Sequence, residues 1–198
     1  GCTRDANPNP QADSTRALTR ALIDWVTRGI EPPPSRYPKL ASGELVPATK
    51  QALGFAVLPK LSVDGSALNP VLNYDYGRDF NAADLSGVMT TVPPRIRAVI
   101  PTYVPTVDAD GNETTGVPSV QHQAPLGTYL GWNVTASGFF AGQGCGFAGG
   151  YIPFARTKQA RLEAHDSRLS VEERYGTLEG YTCIVDRAVS QAVKDRFL

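Results

Sequence analysis

An excess of either charge is missing from this sequence: Lys plus Arg number 19 and Asp plus Glu number 19, for a formal net charge of zero. A basic surface is what generic binding to nucleic acid or to an anionic membrane draws on, so neither is expected as a partner. Long apolar runs are also missing, and none approaches the roughly 20 residues that span a bilayer. Histidine is reduced to His122 and His165, and methionine to Met89. With Gly at position 1, the expectation is that this is not an intact translation product but a processed or truncated chain. The three cysteines, Cys2, Cys145 and Cys183, are odd in number and widely spaced. They read as neither a zinc site nor a disulfide framework. Gly1 ahead of Cys2 reads as the scar of a cut rather than a lipid anchor. The compartment stays open.

A catalytic signature is absent as well. Acyl transfer by a serine on a sharp strand-to-helix turn needs glycine two positions to either side, and no serine here has both. A cysteine version centred on Cys145 fails because Gln143 and Phe147 hold those places, so a packed, inert thiol is expected. Surface or capping roles are expected for His122 and His165, which stand too far apart in sequence for a promising metal site. Gly144, Gly146 and Gly149 match G-x-G-x-x-G by letter, but Pro153 falls where a helix should open, and dinucleotide binding is rejected. Asp108, Asp110 and Asn112 alternate like calcium ligands, yet Gly111 sits at the fourth place of the loop and no glutamate at the twelfth. A turn needs the same residues and is preferred. No cofactor and no metal are expected.

Glycine and proline are plentiful, at 19 and 16 of 198 residues, well above the roughly 12 per cent of ordinary usage. One loop-rich α+β body is the expected fold class. Leu18, Ala21, Leu22, Trp25 and Val26 fall on one face of a helix over 14 to 28, with Asp13 or Ser14 as its cap and Gly29 as its stop. Three prolines then force an extended arm over 31 to 38. The apolar pieces at 38 to 47 and 55 to 61, cut by Pro47 and Pro59, fit only edge strands or extended arms. Residues 64 to 94 read as loop. Two extended runs around the Asp-Gly turn at 108 to 113 predict a β-hairpin near 95 to 122. Residues 126 to 154 hold eight glycines and seven aromatics with no sustained period and read as a coil laid on another surface. Helices near 157 to 197 close the chain: a short one over 157 to 164, one opened by the capping box Ser170-x-x-Glu173, and a long one led by Thr177.

Five stretches carry a resemblance: "DWVTRGIEPPPSRYP" at 24 to 38, "VPTVDADGNETTGV" at 104 to 117, "PLGTYLGWN" at 125 to 133, "YIPFART" at 151 to 157 and "SVEERYG" at 170 to 176. Together they resemble the C-terminal part of the α/β-hydrolase-domain family of large bacterial proteins. That resemblance implies that residues 1 to 38 are the end of a hydrolase core, contributing one helix, and residues 39 to 198 a C-terminal extension. It implies further that the family's nucleophile and catalytic histidine lie before residue 1. A serine hydrolase acting on a carboxylic ester is then the expected parent, its remaining chain the expected partner, and a small ester its substrate. The alternative is a non-catalytic binding or assembly module. No residue here is expected to be catalytic. For substrate binding, Tyr129, Trp132 and Asn133 are the candidates, because an indole face beside an amide amid glycines suits an acyl group and one polar atom.

Overall fold

The computed structural model describes residues 1–55, 58, 61 and 71–198. In chain order the elements are β1 (Asp5–Ala6), α1 (Ala12–Arg28), β2 (Leu45–Pro47), α2 (Lys50–Leu53), β3 (Val71–Asp75), β4 (Arg95–Ile100), β5 (Tyr103–Pro105), α3 (Val120–Gln123), β6 (Gly127–Leu130), β7 (Gly150–Pro153), α4 (Lys158–Glu163), α5 (Val171–Tyr175) and α6 (Leu178–Lys194). The strands form three small antiparallel sheets: β1-β7-β6, β2-β5 and β3-β4. Mixed helices and small antiparallel sheets agree with the α+β expectation. The apolar piece at 55 to 61 and the start of the stretch at 64 to 94 lie largely outside the described residues.

The helices follow their local signals. Gly29 closes α1 in the left-handed conformation, φ 70°, its N–H reaching back to Trp25 O and the Ile30 N–H to Asp24 O. Thr157, Ser170 and Thr177 each turn a side-chain oxygen to the backbone N–H three residues on, opening α4, α5 and α6. The capping box at Ser170 is complete, since Glu173 also accepts from the Ser170 N–H. At the start of α1 the expectation fails. Gln11 is the capping position and makes no side-chain bond, while Asp13 and Ser14 lie inside the helix.

The strands depart further from expectation. The predicted hairpin near 95 to 122 survives only as its tip, where Val107 bridges Glu113, the Asp108 N–H donates to Asn112 O (2.9 Å) and Gly111 takes φ 79°. Its arms go elsewhere. β4 pairs with β3, in the stretch expected to be loop, and beyond Pro101 the chain enters β5, which pairs with β2. Proline has no N–H to continue a ladder. On the far side, Ser119 captures the His122 N–H and turns 120 to 123 into α3 rather than a strand. The stretch at 126 to 154, expected to be coil, holds β6 and β7, the longer of the two pairings in the main sheet.

The core lies where that sheet meets the last helices. Ala124, Tyr129, Leu130, Phe154, Ala188 and Ala192 are buried there, and α3 and α5 both pack on α6. Residues 1 to 9 close the sheet on its other side. Asp5 and Ala6 pair with Tyr151 and Gly150, and Cys2 forms a disulfide with Cys145 at a sequence separation of 143. This corrects the expectation of an inert thiol at Cys145 and of no disulfide among the three cysteines. Only Cys183 is free, and it is exposed. Odd number and wide spacing concealed the pair because contact across the fold is not written in spacing. Closing so large a loop stabilises on the order of 4 to 5 kcal/mol on a chain-entropy account.

Candidate functional site

The three candidate residues follow one another along β6 and the turn after it, but they face different surroundings. Tyr129 is buried: its ring stacks on Tyr151 with centroids 5.5 Å apart and lies 5.2 Å from the His122 ring. Its hydroxyl accepts from the Leu126 N–H (3.2 Å), the Tyr151 hydroxyl donates to Leu126 O (3.0 Å), and the Tyr175 hydroxyl donates to Pro125 O (2.6 Å). Three phenols therefore converge on the backbone of 125 and 126. Burial raises the pKa of each, that of Tyr175 to about 12, so all three stay protonated hydrogen-bonding groups at neutral pH.

Asn133 is buried with its amide engaged by protein. Its Nδ2 donates to Arg4 O (3.0 Å) and its Oδ1 accepts from the Val134 N–H (2.9 Å) and the Thr3 hydroxyl (3.3 Å). The residue staples the N-terminal arm to the sheet. Trp132, between a buried strand and this staple, is half-buried, and its indole N–H has no hydrogen-bond partner among the described residues. Gly150 lies close beneath: a Cβ there would stand 3.0 Å from Trp132 O. Open clefts among the described residues include one of about 470 Å³ between α1 and the end of α6 and another of about 570 Å³ beside Tyr74, Tyr76 and Phe80. None of the three candidates lines either.

A buried ionic network beside β6 carried no sequence signal. Arg168 and Asp166 form an ion pair (2.7 Å) with both side chains out of solvent. The Arg168 guanidinium also donates to the Thr128 hydroxyl (2.8 Å), Ile152 O (2.9 Å) and Pro153 O (3.2 Å). Burial pushes the Asp166 carboxyl up, but the hydrogen bonds and charge of Arg168 outweigh it and hold the group below its ordinary range. Arg174 pairs with Asp110, and both guanidinium groups lie against the Phe154 ring, at 5.1 Å for Arg168 and 4.1 Å for Arg174. Nearby, Asn112 completes the free edge of β6. Its Nδ2 donates to Gly127 O (3.1 Å) and its Oδ1 accepts from the Tyr129 N–H (2.8 Å), in the manner of a neighbouring strand. Thus the turn expected at 108 to 113 does form, and Asp108 Oδ1 accepts from the N–H groups of Asp110 and Asn112. Nothing in the spacing of Asp166, Arg168 and Arg174 distinguished them from solvated surface charges.

Both histidines take capping or anchoring positions. His165 follows α4 with φ 52° and its N–H donates to Leu162 O. His122 Nδ1 lies 2.8 Å from Asn9 Nδ2 and 3.1 Å from Ser119 Oγ, and Ser119 Oγ donates to Asn9 Oδ1 (2.7 Å). Because the Asn9 amide donates, Nδ1 is the acceptor and the proton sits on Nε2. Desolvation depresses the His122 pKa against opposing pulls from Glu113 and Asp108, favouring the neutral ring. The serine here is no activated nucleophile. Its proton goes to Asn9 and it accepts the His122 N–H, so the trio pins the N-terminal arm to α3. Residues Gly144 to Gly149 lead into β7 rather than a helix, which removes the phosphate-binding geometry that the letter match would need. No group of three or more metal-ligating side chains occurs among the described residues. Nor does any described helix have the length and apolarity to cross a membrane.

Against this geometry, a family model described as "Alpha/beta hydrolase domain" matches the chain over residues 1–198. No curated protein and no solved structure matches.

Proposed function

Because the chain belongs to the alpha/beta hydrolase domain family, we propose that it serves as the C-terminal part of a serine hydrolase acting on a carboxylic ester. The nucleophile and catalytic histidine come from the rest of the parent protein, which is also the partner that α1 packs against. Family membership carries the hydrolase class. One structural observation supports the division of labour: the apolar face of α1 has little to cover within this chain. Leu18, Leu22, Trp25 and Val26 are all exposed, and Ala21 alone is buried. A hydrolase core is a mostly parallel sheet with helices on its faces, whereas every described strand pair here is antiparallel. On this proposal α1 covers the parent's sheet, and the body built on β6 and β7 sits beside the active site as its scaffold.

Within that body Trp132 is the residue proposed to meet substrate, through its half-buried indole face and unpartnered N–H. Tyr129 and Asn133 set its position from either side, consistent with polar groups that are already engaged by protein. The decisive test uses the full-length parent, with turnover of a p-nitrophenyl ester and melting temperature measured on the same Trp132→Ala preparation. A drop in kcat/KM of tenfold or more with the melting temperature nearly unchanged supports a substrate contact. A large fall in melting temperature assigns Trp132 to the core instead, where truncation costs roughly 3 to 5 kcal/mol. The 198-residue chain alone is expected to turn over p-nitrophenyl acetate no faster than buffer, and a burst abolished by a Ser or Cys substitution within it would overturn the proposal.

A second reading, a non-catalytic assembly module, is favoured by one observation. Phe139, Phe140 and Phe147 stand exposed on the loop between β6 and β7, where solvated rings call for a covering surface. An active parent whose turnover is unchanged when all three become serine, but whose assembly fails, would support this reading.

A further inference from the structure

We propose that the Cys2–Cys145 disulfide is a redox-controlled clasp on the N-terminal arm, so that the protein takes its closed form only where a thiol oxidant is at hand. The arm is poorly held by packing. Asp5 and Ala6, its paired residues, are both exposed and bring no apolar side chain to the core. What remains is polar: hydrogen bonds that include the Thr3 N–H to Val134 O (2.7 Å), the Asn7 N–H to Gly149 O (3.1 Å), the Asn7 side chain to Leu130 O (3.2 Å), the Asn133 amide to Arg4 O (3.0 Å) and the Asn9 amide to His122 Nδ1 (2.8 Å). Exchanged against water, such bonds contribute little net and must offset the entropy of ordering the arm. The disulfide removes most of that entropic cost by keeping the arm beside its partners.

The other end of the clasp is independently held. The loop carrying Cys145 has its own ladder, with Val134 bridged to Gly144, the Thr135 N–H donating to Gln143 O (2.9 Å) and the Cys145 N–H to Asn133 O (2.9 Å). Reduction should therefore free one side only. The arm leaves while the loop and the β6–β7 pair stay. Both half-cystines are only partly buried, so a thiol reagent can reach them.

Closure is a two-step exchange with a disulfide oxidant. One cysteine thiolate attacks a sulfur of the oxidant and expels a thiolate; the second thiolate then attacks the mixed disulfide at the protein sulfur and expels the other. The protein loses two electrons and two protons, and the oxidant leaves as a dithiol. Compartments that keep thiols reduced would leave the clasp open, which points to a protein matured in an oxidising compartment. The inference does not rest on the ester-hydrolase proposal, since it concerns the arm and its bond whatever the chemistry.

Thiol titration and hydrogen exchange on the full chain test it together. Protein made in an oxidising compartment and denatured without reductant should titrate one thiol, Cys183, and three after reduction. Reduction, or the Cys2→Ser/Cys145→Ser double variant, should speed exchange of the Thr3 and Asn7 amides at least tenfold while the Tyr129 amide keeps its rate. Cys183→Ser should leave these exchange rates unchanged and lower each thiol count by one. Three thiols before reduction would overturn the proposal. So would arm amides that stay protected after it, and so would equal loss of protection at Tyr129, which would make the bond a staple of the whole fold rather than a clasp on the arm.

Discussion

Around β6 and β7, side chains that are buried find partners within the chain, whereas α1 and the β3–β4 ribbon turn apolar side chains to solvent. Arg168 alone reaches one carboxylate, one hydroxyl and two backbone carbonyls. In contrast, Leu22, Trp25 and Val26 on α1, and Val71, Ile96 and Val99 on the ribbon, are at least half exposed. Among the described residues, the ribbon's strands pair only with each other. The α1 stripe is as regular as that of a buried helix, so its exposure is not weak patterning; what is missing is a surface to cover. The first region covers its own apolar side chains and the second does not, and that difference is what the proposed assignment of the parent core to α1 rests on.

The sharpest way to break the comparison is at Arg168. Arg168→Met should destabilise the chain by about 3 to 5 kcal/mol in denaturant titration, because Asp166 is left as a buried charge without its counterion. A loss under 1 kcal/mol would mean that the network is solvated and the two regions are not so different. Next in size is Asn112→Ala, which removes two bonds from the edge of β6 and leaves Gly127 O and the Tyr129 N–H unpaired. A cost of about 2 to 3 kcal/mol is expected, with hydrogen exchange at Tyr129 accelerated.

Acid should sharpen the same contrast. Arg161 binds Glu173 through Nε (2.8 Å) and Nη2 (3.1 Å). The hydrogen bonds from Arg161, then the Ser170 N–H and hydroxyl, bring the carboxyl's pKa from 4.5 to about 2. A folded-state pKa below the unfolded one means stabilisation that is full above about 4.5 and is lost as pH falls toward about 2. Glu173→Gln should therefore flatten the stability curve across that window and leave its shape above it unchanged. A higher step belongs to His122, whose ring is kept neutral by burial. Its contribution is present above its ordinary pKa of 6.5 and is lost as pH falls below it. The smallest effect is expected on α1. Leu22→Ser and Trp25→Ser should shift the stability of this chain by no more than about 0.5 kcal/mol, yet weaken binding to the remainder of the parent. A large loss of stability in the chain alone would show that α1 already has its partner.

Local chemistry was legible in advance. Gly29 stops α1, Ser170 and Glu173 open α5, Thr177 opens α6, and the Asp-Gly turn forms where its residues fall, because each of these depends on bonds spanning only a few positions. The family resemblance, carried by stretches spread from 24 to 176, was legible too and agrees with the match over the whole chain. Trp132 shared its glycine-interrupted stretch with Tyr129 and Asn133, and composition could not tell a half-exposed indole from a buried phenol or a buried amide staple.

What the linear order could not decide was every pairing across distance. β4 alternates as well for a partner at 117 to 122 as for one at 71 to 75, and the choice fell to Pro101 and to the Ser119 cap, which divert the chain on either side. Cys2 and Cys145 meet because β1 lies against β7, a contact between residues over a hundred positions apart. Asp166, Arg168 and Arg174 were indistinguishable from surface charges until the sheet closed over them. Apart from the caps of α1 and α3, helix stops, caps and turns were settled by the sequence itself, since their energies are local. Strand partners, the disulfide and the buried ion pair were decided by tertiary structure alone, since each exists only once distant segments have removed the same groups from water.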